Sequence, residues 1–300
     1  MSLFKKCQCN AGFLFLYIFV ILIETLKART YIMLIIGEKL NGFIPAVGKA
    51  IRECDETFIR DLTVAQAEAG ADYLDVCAAV DNEIEVKTLN WLVQIAEDAA
   101  GLPVCVDSPN PAALSAVIPN CKREGVVNSV SMESGKIEII FPLIADTSWK
   151  CVALLCSDKG IPDSIEGRLA VFDQILAKAE EYGISEDRLL IDPIVSTLST
   201  NEETLLTFAG CAREIRRRSP AVHIVSGLSN VSYGLPARSL INHAFLALAM
   251  QAGMDSAILD PTDRSMTGLM YAVDALLGND EYCMEYITAF RENRIGPKKG

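Results

Sequence analysis

From Met33 onward the chain alternates short apolar runs with longer amphipathic stretches. The runs at 33–37, 72–77, 103–107, 125–130, 150–156, 188–192, 222–226 and 256–260 are rich in Val, Ile, Leu and Cys. Unbroken apolar runs of this length suit strands of a parallel sheet that is covered on both faces. Between them, 57–69 places Phe58, Leu62, Ala65 and Ala69 on one helical face and ends at Gly70. A second helix is expected over 84–99, with Trp91, Leu92 and Ile95 inward and Gly101 at its end. Stretches 164–182, 202–217, 238–252 and 265–277 repeat the pattern, and several close on a glycine suited to a left-handed cap. Eight strands alternating with helices predict an α/β fold, a (β/α)₈ TIM barrel over 33–290, with 291–300 as a flexible tail. An open doubly wound sheet is the alternative. It is disfavoured because no Gly-x-Gly-x-x-Gly follows the first strand and the polar strand ends are not gathered at one switch point.

Those strand ends carry the candidate chemistry. Three runs end in an aspartate with a proline within two residues: Val-Cys-Val-Asp107-Ser-Pro109, Leu189-Leu-Ile-Asp192-Pro193 and Ala257-Ile-Leu-Asp260-Pro261. Tyr73-Leu74-Asp75-Val76 carries its aspartate at similar depth, and Asn128 and Asn230 stand where the others have aspartate. Each aspartate before a proline could equally organise the turn into the next helix. Asn128 within a Val-rich strand needs buried partners. Barrels of this type place their sites at the C-terminal ends of the strands, so these residues are expected to ring one mouth. Carboxylates and amides so arranged suit a neutral, donor-rich heterocycle better than a phosphate.

Composition narrows the classes. A net charge of −12 disfavours nucleic acid or an anionic membrane as partner, since both need basic patches. Arg216-Arg217-Arg218, at the end of a predicted helix, reads as a solvated end that complements the helix dipole. The ten cysteines include no C-x-x-C pair, and Cys77, Cys105, Cys151 and Cys156 lie in or beside apolar runs. That usage points to a reducing, cytoplasmic compartment and away from a structural zinc site. No metal site is expected. His223 and His243 lack the company a nucleophile would need, and no glycine loop for phosphate is present.

Residues 1–32 do not match the rest. Lys5 and Lys6 precede an uncharged run from Cys7 to Ile23, with no small-residue cleavage site after it. A misassigned start, with Met33 the true initiator, is the favoured expectation, and a hydrophobic anchor is the alternative. The barrel domain itself is expected to have no membrane partner.

Met33-Leu-Ile-Ile-Gly-Glu-Lys-Leu-Asn41-Gly, Val104-Cys-Val-Asp107-Ser, Val127-Asn128-Ser, Ile191-Asp192-Pro193, Gly227-Leu-Ser-Asn230-Val-Ser and Arg238-Ser-Leu-Ile-Asn242 occur in this order. Together they resemble the pterin-binding methyltransferases that exchange a methyl group between tetrahydrofolate and a corrinoid protein. The resemblance covers Met33 to about Phe290 and implies a TIM barrel, usually homodimeric, with the folate at the strand C-termini. By position it implies that Asp107, Asn128 and Asp192 hold the pterin ring and that Asp75 lines the mouth. Asn230 would face folate N5 within Gly227-Leu-Ser229-Asn230, and Arg238 would join the surrounding network. In that reading Asn230 would supply the hydrogen bond at N5, and Asp192 would order the water that carries the proton. The methyl group travels on cobalamin carried by a partner corrinoid protein, with methyltetrahydrofolate or tetrahydrofolate as the small substrate.

Two departures bear on that partner. Members serving the corrinoid iron–sulfur protein of acetyl-CoA synthesis carry Asn-Gly after the second strand's aspartate, where this chain has Val76-Cys77, and a glutamine at Tyr233. The resemblance therefore leans to catabolic members, which pass methyl groups from O-demethylation or glycine betaine to tetrahydrofolate. Dihydropteroate synthase shares the barrel but needs a strand-end lysine, which the sequence reading does not find. A non-catalytic folate-binding protein is the remaining alternative.

Overall fold

The computed structural model describes residues 33–297. The expectation for residues 1–32 lies outside them. Eight parallel strands run in sequence order: β1 (Leu34–Asn41), β2 (Tyr73–Cys77), β3 (Val104–Asp107), β4 (Val126–Met132), β5 (Lys150–Ser157), β6 (Leu189–Asp192), β7 (His223–Ile224) and β8 (Ser256–Leu259). From β1 to β7 each pairs with the next along the chain, and β1 also pairs with β8, Ile36 opposite Ile258. The seam between β7 and β8 closes by a Gly227–Ile258 bridge and by Ile258 N donating to Ser226 O at 3.0 Å. The barrel expected from the alternating pattern is therefore present.

The helices cover its outside. They are α1 (Pro45–Glu53), α2 (Glu56–Glu68), α3 (Asn82–Ala100), α4 (Pro111–Val117), α5 (Lys136–Ile144), α6 (Ile165–Glu181), α7 (Thr204–Arg218), α8 (Arg238–Gln251), α9 (Arg264–Leu276) and α10 (Met284–Arg291). Starts follow capping chemistry: Asp55 accepts from Phe58 N, Ser164 from Gly167 N and Asp263 from Ser265 N. Gly101 ends α3 at φ 67°, a left-handed cap that costs a glycine little. Three helices escaped the periodicity for physical reasons. α1 and α4 are short and open on proline, and α5 is apolar on nearly every side with Pro142 inside it, leaving no polar stripe to mark a face.

Strand side chains alternate between two cores. Outward residues such as Leu74, Val76, Val106 and Val127 pack under the helices. Inward residues Ile36, Cys105, Val126, Val152, Leu190 and Val225 form a separate cluster that fills the barrel. Two positions further along, the same inward columns reach Glu38, Asp107, Asn128, Leu154, Asp192 and Gly227. The barrel is thus apolar in its lower layer, apart from Asp75 beside Cys105, and polar at its upper end.

The lower end is closed by charge. Asp255 pairs with Arg216 Nη2 at 2.8 Å and His223 Nδ1 at 3.3 Å, and accepts from Ile224 N at 2.8 Å. Burial pushes the Asp255 carboxyl up, but His223 and Arg216 outweigh it and hold it below the usual range. Arg216 therefore departs from the solvated end expected of it, while Arg217 and Arg218 pair on the surface with Glu214. His223 is structural. Residues 292–297, expected to be loose, run back along α9: Arg264 binds the carbonyls of Asn293, Ile295 and Gly296, and Ile295 is buried.

Gly125 marks where β4 passes β3 most closely. A Cβ there would lie 2.0 Å from Val104 O, a backbone atom that cannot step aside. Gly125→Ala should destabilise the fold by about 3 kcal/mol or more, read as a lowered urea midpoint. Gly160→Ala, where nothing lies within 4 Å, should cost only about 1 kcal/mol for its positive φ.

Candidate active site

A cavity of about 680 Å³ opens at the C-terminal ends of the strands. Asp75, Asp107, Asn128, Asp192, Gly227, Ser229, Asn230 and Arg238 all line it, as does Asp260. Residues spread over more than 160 positions of sequence thus meet in one concavity.

One wall comes from β2, β3 and β4. Asp107 lies level with Cys77 and Asn128, and Asp75 lies one layer deeper, level with Cys105. Asn128 Nδ2 donates to Asp75 Oδ1 at 3.3 Å. The turn after β3 is organised by Ser108, Asn110 and the buried Glu85, with Ser108 Oγ 2.5 Å from Glu85 Oε1 and Asn110 Nδ2 3.2 Å from Oε2. Turn building falls to those residues, and Asp107 faces the cavity. Asp192 does both jobs: its Oδ1 accepts from Ile194 N at 2.7 Å, within the turn, while it lines the cavity. Asp260 also does both. Its Oδ1 accepts from Thr262 N at 2.9 Å and its Oδ2 pairs with Lys39 Nζ at 2.7 Å.

The opposite wall is a short 3₁₀ turn, Leu228–Ser232, which follows β7. Arg238 holds it, donating from Nη2 to Ser229 O at 2.6 Å and from Nε to Ser232 Oγ at 3.0 Å. Asn230 therefore comes from this turn and not from a strand end. A Cβ on Gly227 would sit 3.2 Å from Asn230 Nδ2, so glycine there lets the amide lie against the backbone. Ser229 Oγ lies 3.0 Å from both oxygens of Glu38, which rises from β1.

Burial is the largest influence on every carboxyl group of the cavity. It pushes Asp107 up to about 6, with the Cys77 thiol opposing and Glu85 adding. Asp75 lies well above the usual range, from burial first and then from Asp107 beside it. Asp192 is raised to about 6 by burial, against the N–H groups of Ile194 and Gly227 and the charge of Arg168. Glu38 is raised by burial, with Ser229 and Lys39 opposing. Four carboxyl groups thus stand in one cavity, all raised by burial, a pattern that marks functional sites.

Sequence reasoning missed Glu38 and Lys39 as site residues. Both follow the apolar part of β1, where charge inside a buried run was the available signal. Lys39 also corrects the view that no lysine reaches a strand end, although Asp260 holds its ammonium. Asn41 and Asn242, seen only as parts of motifs, line the cavity as well. His243 lies 3.6 Å from Asp263 on α8.

A wall of carboxylates and amides can accept paired N–H donors and orient a flat heterocycle. The family model for pterin binding enzymes matches residues 52–260. The chain belongs to the pterin-binding enzyme family. Within it, the methylcorrinoid:tetrahydrofolate methyltransferase of Eubacterium limosum is 49% identical over 267 residues, covering 88% of this chain and 98% of that protein. The methionine synthase of Mycobacterium leprae is 28% identical over 76% of this chain, which spans 20% of that longer protein. Among solved structures, dihydropteroate synthase from Xanthomonas albilineans superposes with a TM-score of 0.59 at 20% identity, over 82% of this chain and 93% of that one. The Yersinia pestis enzyme gives 0.57 at 16%, over 82% and 94%. At those identities the solved structures speak for the pterin-binding barrel alone.

Asp107 carries a stability consequence. Its folded pKa is raised to about 6 from an unfolded value of 3.8, so its contribution is full below pH 4 and is lost as pH rises through about 6. Asp107→Asn should therefore stabilise the protein at pH 7, on the order of 2 kcal/mol, and make little difference at pH 4. Urea unfolding at the two pH values measures it.

Proposed function

We propose that this chain is a methyltransferase that moves a methyl group from a cobalt corrinoid, carried by a separate protein, to N5 of tetrahydrofolate. The observation that carries the reading is the relative of that activity, which aligns over nearly its whole length at 49% identity. The cavity supplies a chemistry consistent with it.

Asp107 accepts paired hydrogen bonds from the pterin amino and ring N–H groups, and Asn128 and Asp192 meet the remaining donors and the carbonyl. Asp75, one layer deeper and with its pKa pushed up by burial, accepts from Asn128 Nδ2 and supports it from below. Transfer forms the N5–C bond while the carbon–cobalt bond breaks and leaves its electron pair on the metal. The proton on N5 must then depart. Asn230, with Gly227 and Ser229 shaping its turn and Arg238 bracing it, hydrogen-bonds N5 and gains strength as charge changes there. Water ordered by Asp192 takes the proton. Glu38, raised by burial and 3.0 Å from Ser229, offers a second acceptor close to Asn230.

The partner corrinoid protein is proposed to dock over the cavity mouth, where Phe43 and Tyr233 are 80% and 70% exposed. Val76-Cys77 and Tyr233 favour a catabolic partner, supplied by O-demethylation or glycine betaine, over the corrinoid iron–sulfur protein. A homodimer acting in the cytoplasm completes the reading, and no helix among the described residues is long and apolar enough to cross a membrane. Lys39, which a dihydropteroate synthase would want for pyrophosphate, is engaged by Asp260.

Anaerobic mixing of methylcobalamin, tetrahydrofolate and the protein tests the proposal. Loss of the methylcobalamin band only when the protein is present supports it, and an unchanged spectrum overturns it. Asn230→Ala should slow transfer by about 10²-fold or more with little change in folate affinity. Asp107→Ala should instead weaken folate binding by about 2–4 kcal/mol, measured by calorimetry.

A further inference from the structure

Arg168, on the first turns of α6, is 2% exposed and among the largest buried side chains of the protein. All three of its hydrogen bonds end on carbonyl oxygens. Nη1 donates to Pro193 O at 2.5 Å and Ile194 O at 2.6 Å, and Nε to Pro162 O at 2.9 Å. Two of these carbonyls belong to the turn that follows Asp192. Ile194 sits in that turn at φ 67°, a left-handed conformation costing a β-branched residue about 1–3 kcal/mol. Its N–H is the donor held 2.7 Å from Asp192 Oδ1.

A buried cation bonded only to neutral oxygens needs a counter-charge nearby. The groups that bear on it are Cys211 from α7, Asp192 from β6 and Asp163 from the loop before α6. Cys211 is a buried free thiol, itself pushed up by burial, which leaves the two aspartates to balance the guanidinium. From the other side, Asp192 meets the N–H groups of Ile194 and Gly227, and the cation acting on it is Arg168.

We propose that Arg168 is the positioning residue for Asp192. Its Nη1 clamps the Pro193 and Ile194 carbonyls, which forces the left-handed turn and aims the Ile194 N–H at the carboxylate. Its charge, one turn of backbone behind, keeps Asp192 an acceptor as the ligand closes the cavity to water. Arginine suits this because a planar fork grips several carbonyls at once. Arg168 never touches the folate. This inference rests on the proposed role of Asp192.

The test is the pH dependence of kcat/KM for tetrahydrofolate in the methylcobalamin assay. Arg168→Gln should move the acidic limb to higher pH by about one unit, with kcat/KM about fivefold lower at pH 6 and little deficit at pH 8. Since Arg168→Gln strips bonds from three buried carbonyls, Cys211→Asp provides a second route. It sets a carboxylate of similar volume beside the guanidinium and leaves the three bonds intact, and it should move the limb in the same direction. A limb unmoved in either folded variant overturns the proposal. Asp192→Asn separates the two levels: if it leaves folate affinity and turnover intact, the reading of Asp192 itself has failed. If it abolishes them while the limb of Arg168→Gln stays in place, only the role of Arg168 has failed.

Discussion

The two-residue period of eight parallel strands, closed into a ring, governs this protein. Closure sends every second side chain of each strand into the same interior. In the lower layer those side chains are Ile36, Cys105, Val126, Val152, Leu190 and Val225, a buried apolar cluster. One step up each column the residues become Glu38, Asp107, Asn128, Asp192 and Gly227, and a cavity begins. The same backbone that builds an apolar plug therefore lifts a ring of acids and amides above it. A shift of one residue in any strand would turn its polar member out among the helices.

That ring works against the fold that carries it. Asp75, Asp107, Asp192 and Glu38 are all raised by burial, so each is held away from the water that would ionise it freely. Natural proteins accept such destabilising groups where function needs them. The supports are local and different at each residue. Asn128 steadies Asp75, backbone N–H groups and Arg168 steady Asp192, and Ser229 steadies Glu38. At the lower end, Asp255 is fully matched by Arg216, His223 and Ile224 N. The contrast between a satisfied lower end and a less satisfied upper one supports the proposal that the ligand sits at the upper end.

Arg168 and Arg238 share a further feature. Each is an arginine on the first turns of a barrel helix that reaches back to carbonyls of a neighbouring loop. The turn after Asp192 and the turn carrying Asn230 are loop segments, and loops make poor platforms for exact geometry. The two arginines convert those loops into fixed walls. Ile194 and Ala237, both at positive φ, lie next to the clamped segments.

The sequence by itself determined the barrel, because eight continuous apolar runs separated by amphipathic stretches leave few other ways to bury both faces of each strand. It also marked Asp75, Asp107, Asn128 and Asp192, since a polar residue at the end of an apolar run is a local signal. Helices α1, α4 and α5 were not legible, because short or uniformly apolar segments carry no period. The roles of Arg216, Glu38, Lys39 and Arg168 were decided only in three dimensions. Each is a charged residue whose partners lie on other strands, helices or loops: Asp255, Ser229, Asp260 and the Pro193–Ile194 turn. A charge in a sequence announces only that it must be paired or solvated. Which of the two occurs depends on what the closed barrel brings beside it.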